Sequence, residues 1–381
     1  MIQKRFPVIF LLGILFWSGV LSTFTWVINP YGVSPINITI DGINKFKPKR
    51  LDIDRIIKPY EVWYKQPKTV FMGTSRIHQA IDPTVLDRTR FAPAYNASIP
   101  ASTLSENAAH LEQFFWLNPN IKQVFVEVFL YNFIAVQSTA PRMTLSDLAQ
   151  NTAPLLFSGD AIWDSLKTII VNRFGDKSGA TVTASGHWVP PRGQKTKDTF
   201  NPRLHIDYIM RIHRTIPGMA IQPSAIKALD RIVELCRKNG AELYLIDLPN
   251  HPWDDYRLLS IGYWHLVERF YRMLANYPNF ISFSQYNVML TEPAGANMRW
   301  WYDPDHPSRT MGDAILHAFI GRSDTGTPTN LMQRVTPETV ETVVRERLDG
   351  LQAWAAQNPQ YTNAFDEAKF ANGVDRSQII R

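Results

Sequence analysis

Lys68-Thr69-Val70-Phe71-Met72-Gly73-Thr74-Ser75-Arg76 is an apolar run that stops in a turn of small residues carrying a serine. A short apolar segment bounded by such a turn reads as a buried strand, assigned here to Val70–Gly73. Outward from it, further strand patterns lie at Ala94–Ala97, Gln123–Leu130, Glu242–Leu248 and Phe280–Phe283. Helical patterns separate them: Pro83–Thr89, Asn107–Leu117 behind a Thr103 cap, Pro223–Asn239 stopped by Gly240, Leu258–Ala275 and Thr310–Ile320. In Pro223–Asn239 the apolar residues Ile226, Leu229, Ile232, Val233 and Cys236 follow helical spacing. Strands alternating with helices imply an α/β fold, with a mainly parallel sheet and helices on both faces.

A strand that stops at Gly-Thr-Ser can present a hydroxyl at the tip of a sheet. A second segment, Trp300-Trp301-Tyr302-Asp303-Pro304-Asp305-His306-Pro307, puts an aspartate three residues before a histidine. Serine nucleophile, histidine base and orienting carboxylate are the parts of acyl transfer through a covalent intermediate. Ser75 is the candidate nucleophile, against the plainer reading of a helix cap. His306 is the candidate base and Asp303 its partner, with Asp305 the local competitor. Arg76, beside the serine, is expected to orient an anionic or hydroxyl-rich substrate, or else to make a structural ion pair. His251 follows the fourth strand, where ligands of open α/β sheets bind, so it is expected to line the pocket or to finish a turn. No histidine and carboxylate set has a ligand spacing such as H-E-x-x-H, so neither a metal nor another cofactor is expected.

The 381 residues allow one large domain or two ordinary ones, plus extensions. Apolar residues make up 45 %, enough for a core, and the 11 tryptophans suit a core before a carbohydrate groove. The formal charge of +6 is scattered. Its one dense patch is Lys45, Lys47, Lys49 and Arg50, a solvated loop or a contact for lipid head groups or an anionic polymer. No nucleic-acid motif occurs. The single cysteine, Cys236, rules out an intrachain disulfide and sits in a helix interior, where a packing role is the default.

Compartment is written at the N-terminus. Lys4 and Arg5 precede an uncharged stretch, Pro7 to Ile28, that would span roughly 33 Å as a helix. The segment ends Thr25-Trp26-Val27-Ile28-Asn29-Pro30, without a small-residue cleavage site, so an uncleaved anchor is expected over a signal peptide. Positive residues before the span favour a cytoplasmic N-terminus and an extracytoplasmic globular part.

Pattern and order resemble the SGNH/GDSL hydrolase superfamily, in its membrane-anchored bacterial branch, over roughly Lys68 to Ile320. Gly73-Thr74-Ser75-Arg76 stands where that superfamily has its nucleophile turn, Asp303-Pro304-Asp305-His306 matches its D-x-x-H, and Asn29-Pro30-Tyr31-Gly32 also looks like that branch. The resemblance implies a three-layer α/β/α sandwich of flavodoxin-like type behind one transmembrane helix. It also implies oxyanion donors from the Ser75 backbone, the backbone of Ala97 or Ser98 in Tyr95-Asn96-Ala97-Ser98, with Ala97 the first candidate, and the Asn132 side chain. The family's Gly-x-Asn-Asp block is incomplete here: Phe129-Leu130-Tyr131-Asn132 offers only Asn132.

The expected organisation is an anchor over 1–28, a connector over 29–67, a catalytic domain over 68–322 with an irregular insertion at about 138–217, and a linker with a helical tail over 323–381. Within the insertion, Leu145–Leu155 and Ala161–Phe174 read as helices and Gly175–Pro202 as a long loop or flap. In the tail, Glu338–Ala356 reads as an amphipathic helix. The expected function is that of a serine esterase or O-acetyltransferase at the bacterial inner membrane, facing the periplasm. Its substrate would be acyl, chiefly acetyl, groups on a cell-surface or exported polysaccharide, a choice that rests on fold-level analogy. The rival is a non-catalytic glycan-binding or assembly subunit of a membrane complex.

Overall fold

The computed structural model describes residues 2–34, 38–137, 145–175, 179–191, 200, 206, 220–295, 298–322, 328 and 330–371. In chain order the elements are α1 (Ile2–Ile28), α2 (Asp54–Lys65), β1 (Thr69–Met72), α3 (Ser75–Ala80), β2 (Ala94–Asn96), α4 (Leu104–Leu117), β3 (Gln123–Glu127), α5 (Leu130–Ile134), α6 (Leu145–Thr152), α7 (Pro154–Phe157), α8 (Gly159–Phe174), β4 (Thr181–Val182), β5 (Trp188–Val189), α9 (Pro223–Lys238), β6 (Glu242–Asp247), α10 (Pro252–Ser260), α11 (Trp264–Leu274), β7 (Phe280–Ser282), α12 (Arg309–Phe319), β8 (Gln333–Arg334), α13 (Val340–Gln357) and α14 (Pro359–Ala371). They fall into two compact units. One comprises residues 1–66, 142–183 and 188–193, and the other residues 67–141, 184–187 and 194–381.

The second unit is α/β with a mostly parallel six-stranded sheet in the order β2-β1-β3-β6-β7-β8. Every pairing in it is parallel except β7 with β8. Val70 lies between Tyr95 and Val124, and Phe125 lies opposite Tyr244. Alternate strand residues are buried on both faces, as a parallel sheet requires. Phe71, Phe125, Tyr244, Ile246 and Ile281 form one core with Ile77 of α3 and Met311 and Ile315 of α12. Phe71 stacks on Phe125 at 4.5 Å between centroids, and Phe125 on Tyr244 at 4.7 Å. Val70, Met72, Val124, Val126, Leu243 and Leu245 alternate with these and are equally buried. From β1 the chain goes first to β2 on one side and then to β3 on the other. Such a reversal, here at the carboxyl end of β1, is the place where open α/β sheets generally bind ligands.

Several boundaries depart from the sequence reading. The strand expected over Gln123–Leu130 ends at Glu127, and Leu130–Ile134 is a helix. The apolar run continues because those residues are buried outside the sheet. The helix expected over Leu258–Ala275 is two, α10 and α11, parted at Gly262, whose φ of +79° suits glycine. The tail belongs to this unit. Arg347 of α13 is buried against Asp255 at 2.7 Å and Asp247 at 3.5 Å, and it donates to Tyr271. Phe365 of α14 packs on Trp253. Of the expected 175–202 flap, 179–191 hold the β4–β5 hairpin, and the rest, apart from Gly175 and Phe200, lies outside the described residues.

The first unit contains α1, whose Phe6–Ile28 segment of 23 residues is long and apolar enough to cross a membrane. Part of the expected insertion, 142–183, belongs with this helix and the 29–66 connector. Tyr31 donates to Asp164 of α8 at 2.6 Å, and Arg50 is buried between Asp54, at 2.8 Å, and Glu61.

Helices α3 and α12 of the second unit meet where a side chain would not fit. A Cβ on Gly312 would lie 1.8 Å from the carbonyl oxygen of Ala80. Gly312→Ala is therefore expected to lower stability by about 1–3 kcal/mol, the usual cost of overpacking. Chemical denaturation of the full-length protein checks it; an unchanged midpoint would mean that the two helices do not meet at this point.

Candidate active site

The serine turn is set by three neighbours. Thr74 caps α3: its Oγ1 accepts from the Arg76 N–H at 3.3 Å. The buried Glu127 carboxylate accepts from both the Thr74 N–H and the Thr74 hydroxyl at 2.8 Å. Gly73 lets this happen, since a Cβ there would stand 2.7 Å from both the Glu127 Cβ and its Oε2. Ser75 follows as the first residue of α3. Its N–H precedes the helix's internal ladder and has no partner among the described residues.

The histidine turn is equally local. Trp301 and Pro307 form a β-bridge, and the Tyr302 N–H donates to the His306 carbonyl at 2.9 Å. Asp303 Oδ1 accepts the backbone N–H groups of Asp305 and His306, both at 2.9 Å. Both Asp303 carboxylate oxygens stand 2.8 Å from His306 Nδ1. His306 Nε2 stands 2.7 Å from Ser75 Oγ. A carboxylate facing Nδ1 keeps the proton on that nitrogen, which leaves Nε2 to accept from the serine hydroxyl. Ser75, His306 and Asp303, named from sequence, thus form one hydrogen-bonded chain. Asp305 does not compete: its carboxylate lies 3.8 Å from Arg257, which donates to the Tyr131 hydroxyl and pairs with Asp254.

Burial alone would depress the His306 pKa. Its bond to Asp303, with the charges of Asp303 and Asp305, more than offsets that, and Arg76 opposes them; the net shift is upward.

Three expectations need correction. Arg76 does not face a substrate. Only 2 % exposed, it donates through Nε to the Asp305 carbonyl at 2.8 Å and through Nη2 to the carbonyls of Leu248, at 2.8 Å, and Pro249, at 2.7 Å. Its Nη1 pairs with Glu127 at 3.4 Å. One buried cation therefore ties the serine turn, the end of β6 and the histidine turn together. His251 finishes a turn and is likewise buried. It caps α10, with Nδ1 accepting from the Trp253 N–H at 3.1 Å and Nε2 donating to the Glu292 carbonyl at 2.8 Å. Burial pushes its pKa down to about 4, so it stays neutral and structural. The Ala97 N–H is already spent on the Phe71 carbonyl at 2.8 Å, so it cannot serve an oxyanion. Asn132 lies in α5 with its amide Nδ2 buried and unpartnered among the described residues, a donor still to give.

Sequence reading missed Glu127. Its signal was there: a carboxylate in the otherwise apolar Val124-Phe125-Val126-Glu127-Val128, at the carboxyl end of a strand. Among the described residues no group of three or more His, Cys, Asp or Glu side chains is arranged to hold a metal.

No protein-family model and no curated protein matches the chain.

Removing Arg76 leaves a buried, unpaired carboxylate, which typically costs about 3–5 kcal/mol. Arg76→Met should lower stability by that order, and adding Glu127→Gln should return part of it by removing the orphaned charge. Denaturant midpoints of both single variants and the double variant check this; strictly additive losses would deny the pairing.

Proposed function

We propose that the protein is a membrane-anchored, extracytoplasmic serine esterase or O-acyltransferase of SGNH type, acting on ester-linked acyl groups, most simply acetyl, of a cell-surface or exported glycan. The observation that carries the reading is the continuous contact from Ser75 Oγ to His306 Nε2 at 2.7 Å and from Nδ1 to Asp303 at 2.8 Å. The β2-β1-β3 reversal beneath Ser75 supports the finer fold assignment, a three-layer α/β/α sandwich of flavodoxin-like type. The apolar Phe6–Ile28 helix, behind Lys4 and Arg5, supports a single-pass anchor in a bacterial inner membrane with the second unit on the periplasmic side.

In this reaction Ser75 Oγ attacks the ester carbonyl as its proton passes to His306 Nε2. The carbonyl π pair moves to oxygen, where the Ser75 N–H is one donor and the Asn132 amide the second candidate. Collapse breaks the bond to the sugar oxygen, which takes the proton back from Nε2 and leaves an acyl-Ser75. Water or a second sugar hydroxyl then gives its proton to His306 and attacks the acyl carbon, the bond from that carbon to Ser75 Oγ breaks, and Nε2 returns the proton to Oγ, which frees Ser75. Water makes the enzyme an esterase and a sugar hydroxyl makes it a transferase. Asp303 holds the Nδ1 proton and stabilises the imidazolium throughout.

One observation favours a second reading, a glycan-binding subunit that keeps the fold: the Ala97 N–H is not available to the oxyanion.

Fluorophosphonate labelling and aryl acetate turnover by purified full-length protein separate the two. Labelling lost in Ser75→Ala supports the enzyme; a wild type that neither labels nor turns over supports the binding subunit. The reactive form needs neutral His306, whose pKa is raised. Turnover is therefore expected to climb with pH through a midpoint above the ordinary histidine value of about 6.5. Asp303→Asn removes the raising charge, so it should move that midpoint down and cut kcat by about 10⁴-fold, the loss seen when a triad loses its carboxylate. A midpoint that stays put would exclude His306 as the titrating base.

A further inference from the structure

Helix α8 of the first unit is built inside out. Its buried face is Ala161, Ser165, Thr168 and Asn172, small or polar residues at helical spacing. The opposite face carries Trp163, Leu166, Ile170 and Phe174, between 41 % and 83 % exposed. Phe157, at the end of α7, is 58 % exposed. Spacings of three and four residues bring the α8 side chains into one stripe. Water-facing helices show the reverse arrangement, and a contiguous apolar surface of this kind marks an interaction site.

The same unit indicates what covers the stripe. Thr25 of α1 donates to the carbonyl of Leu156 in α7. A cavity of about 180 Å³ is lined by Ser18, Leu21 and Ser22 of α1 together with Phe157, Gly159 and Ile162. Helices α7 and α8 therefore reach back along α1 as far as residue 18. From Phe6 to Leu21 the large apolar side chains of α1 are exposed, while Thr25 and Ile28 are buried. From Phe6 to Leu21 is only about 24 Å of helix, short of the roughly 30 Å of a bilayer core. The whole 23-residue Phe6–Ile28 segment reaches about 34 Å. A bilayer matched to α1 must then extend to the level at which α7 and α8 are packed.

We propose that α8 lies in the interface of the same bilayer that α1 crosses, with Trp163, Leu166, Ile170 and Phe174 turned into the lipid and Phe157 beside them. This rests on the reading of α1 as a membrane span. The side chains suit that depth: Trp163 belongs at the boundary between acyl chains and head groups, and the Lys167 ammonium lies 5.3 Å over its ring on a stem long enough to reach water. Helix α8 thereby fixes the first unit against rotation about α1, which a single span alone does not do.

Nitroxide scanning of the full-length protein in nanodiscs of phosphatidylcholine and phosphatidylglycerol tests this. Spin labels go on Leu166→Cys, Ile170→Cys and Phe174→Cys, on Leu12→Cys in α1, and on the exposed Lys227→Cys of α9, all with the buried Cys236 changed to Ala. Collisions with oxygen report lipid and collisions with a nickel chelate report water. The expected result is an oxygen-to-nickel ratio at the three α8 positions that matches Leu12→Cys and is reversed at Lys227→Cys. If Leu12→Cys is lipid-like while the α8 labels meet nickel freely, the stripe faces water and the proposal is overturned with the span intact. Labels shielded from both reagents would mean a protein partner, such as a second copy, and overturn it as well. A water-like Leu12→Cys would remove the span, and this inference with it.

Discussion

The second unit turns on a single buried guanidinium. Arg76 sits one residue past the serine, yet its bonds run to the carbonyls of Leu248, Pro249 and Asp305, and its charge meets Glu127. A cation so enclosed must be paired, because burial strips it of water. Those pairings set where the end of β6 and the Asp303–His306 turn stand relative to Ser75. The short motif around the serine is thereby explained residue by residue. Gly73 admits the Glu127 carboxylate, Thr74 accepts the Arg76 N–H while donating to Glu127, and Arg76 reaches across to the histidine turn.

How much was legible from sequence follows from the range of each interaction. Strands β1, β3 and β6 were readable because both faces are buried and the apolar run is continuous. The Asp303–His306 contact was readable because three residues close one turn. Ser75 was readable as the serine of a small-residue turn that follows a strand. The roles of Arg76 and His251 were not, because their partners lie far off: Asp305 is 229 residues from Arg76, and Glu292 is 41 from His251. A polar side chain near a strand end looks the same in sequence whether it meets a substrate or a carbonyl. The Ala97 N–H was lost for a related reason. The ladder with β1 runs one residue beyond the paired strand and consumes the donor.

The two units obey one rule of burial in opposite senses. In the second, aromatic rings stack inside the sheet and charges are enclosed only where they are paired. In the first, α8 turns its serine, threonine and asparagine inward and its tryptophan, leucine, isoleucine and phenylalanine outward. Two of the inward polar groups are satisfied within the unit: Thr168 donates to the Asp164 carbonyl, and Asn172 bonds Phe46, while the Ser165 hydroxyl has no partner among the described residues. The outward apolar stripe is tolerable only if the surrounding medium there is not water.

Covalent chemistry at Ser75 is the central claim, and rapid-quench mass spectrometry of the full-length protein mixed with an aryl acetate tests it most directly. An acetyl group should appear on the peptide that contains Ser75 within the first turnovers, and it should fail to accumulate in His306→Ala. Turnover of the ester without any acylated Ser75 peptide, or an acetyl group carried elsewhere on the chain at the same rate, would contradict it.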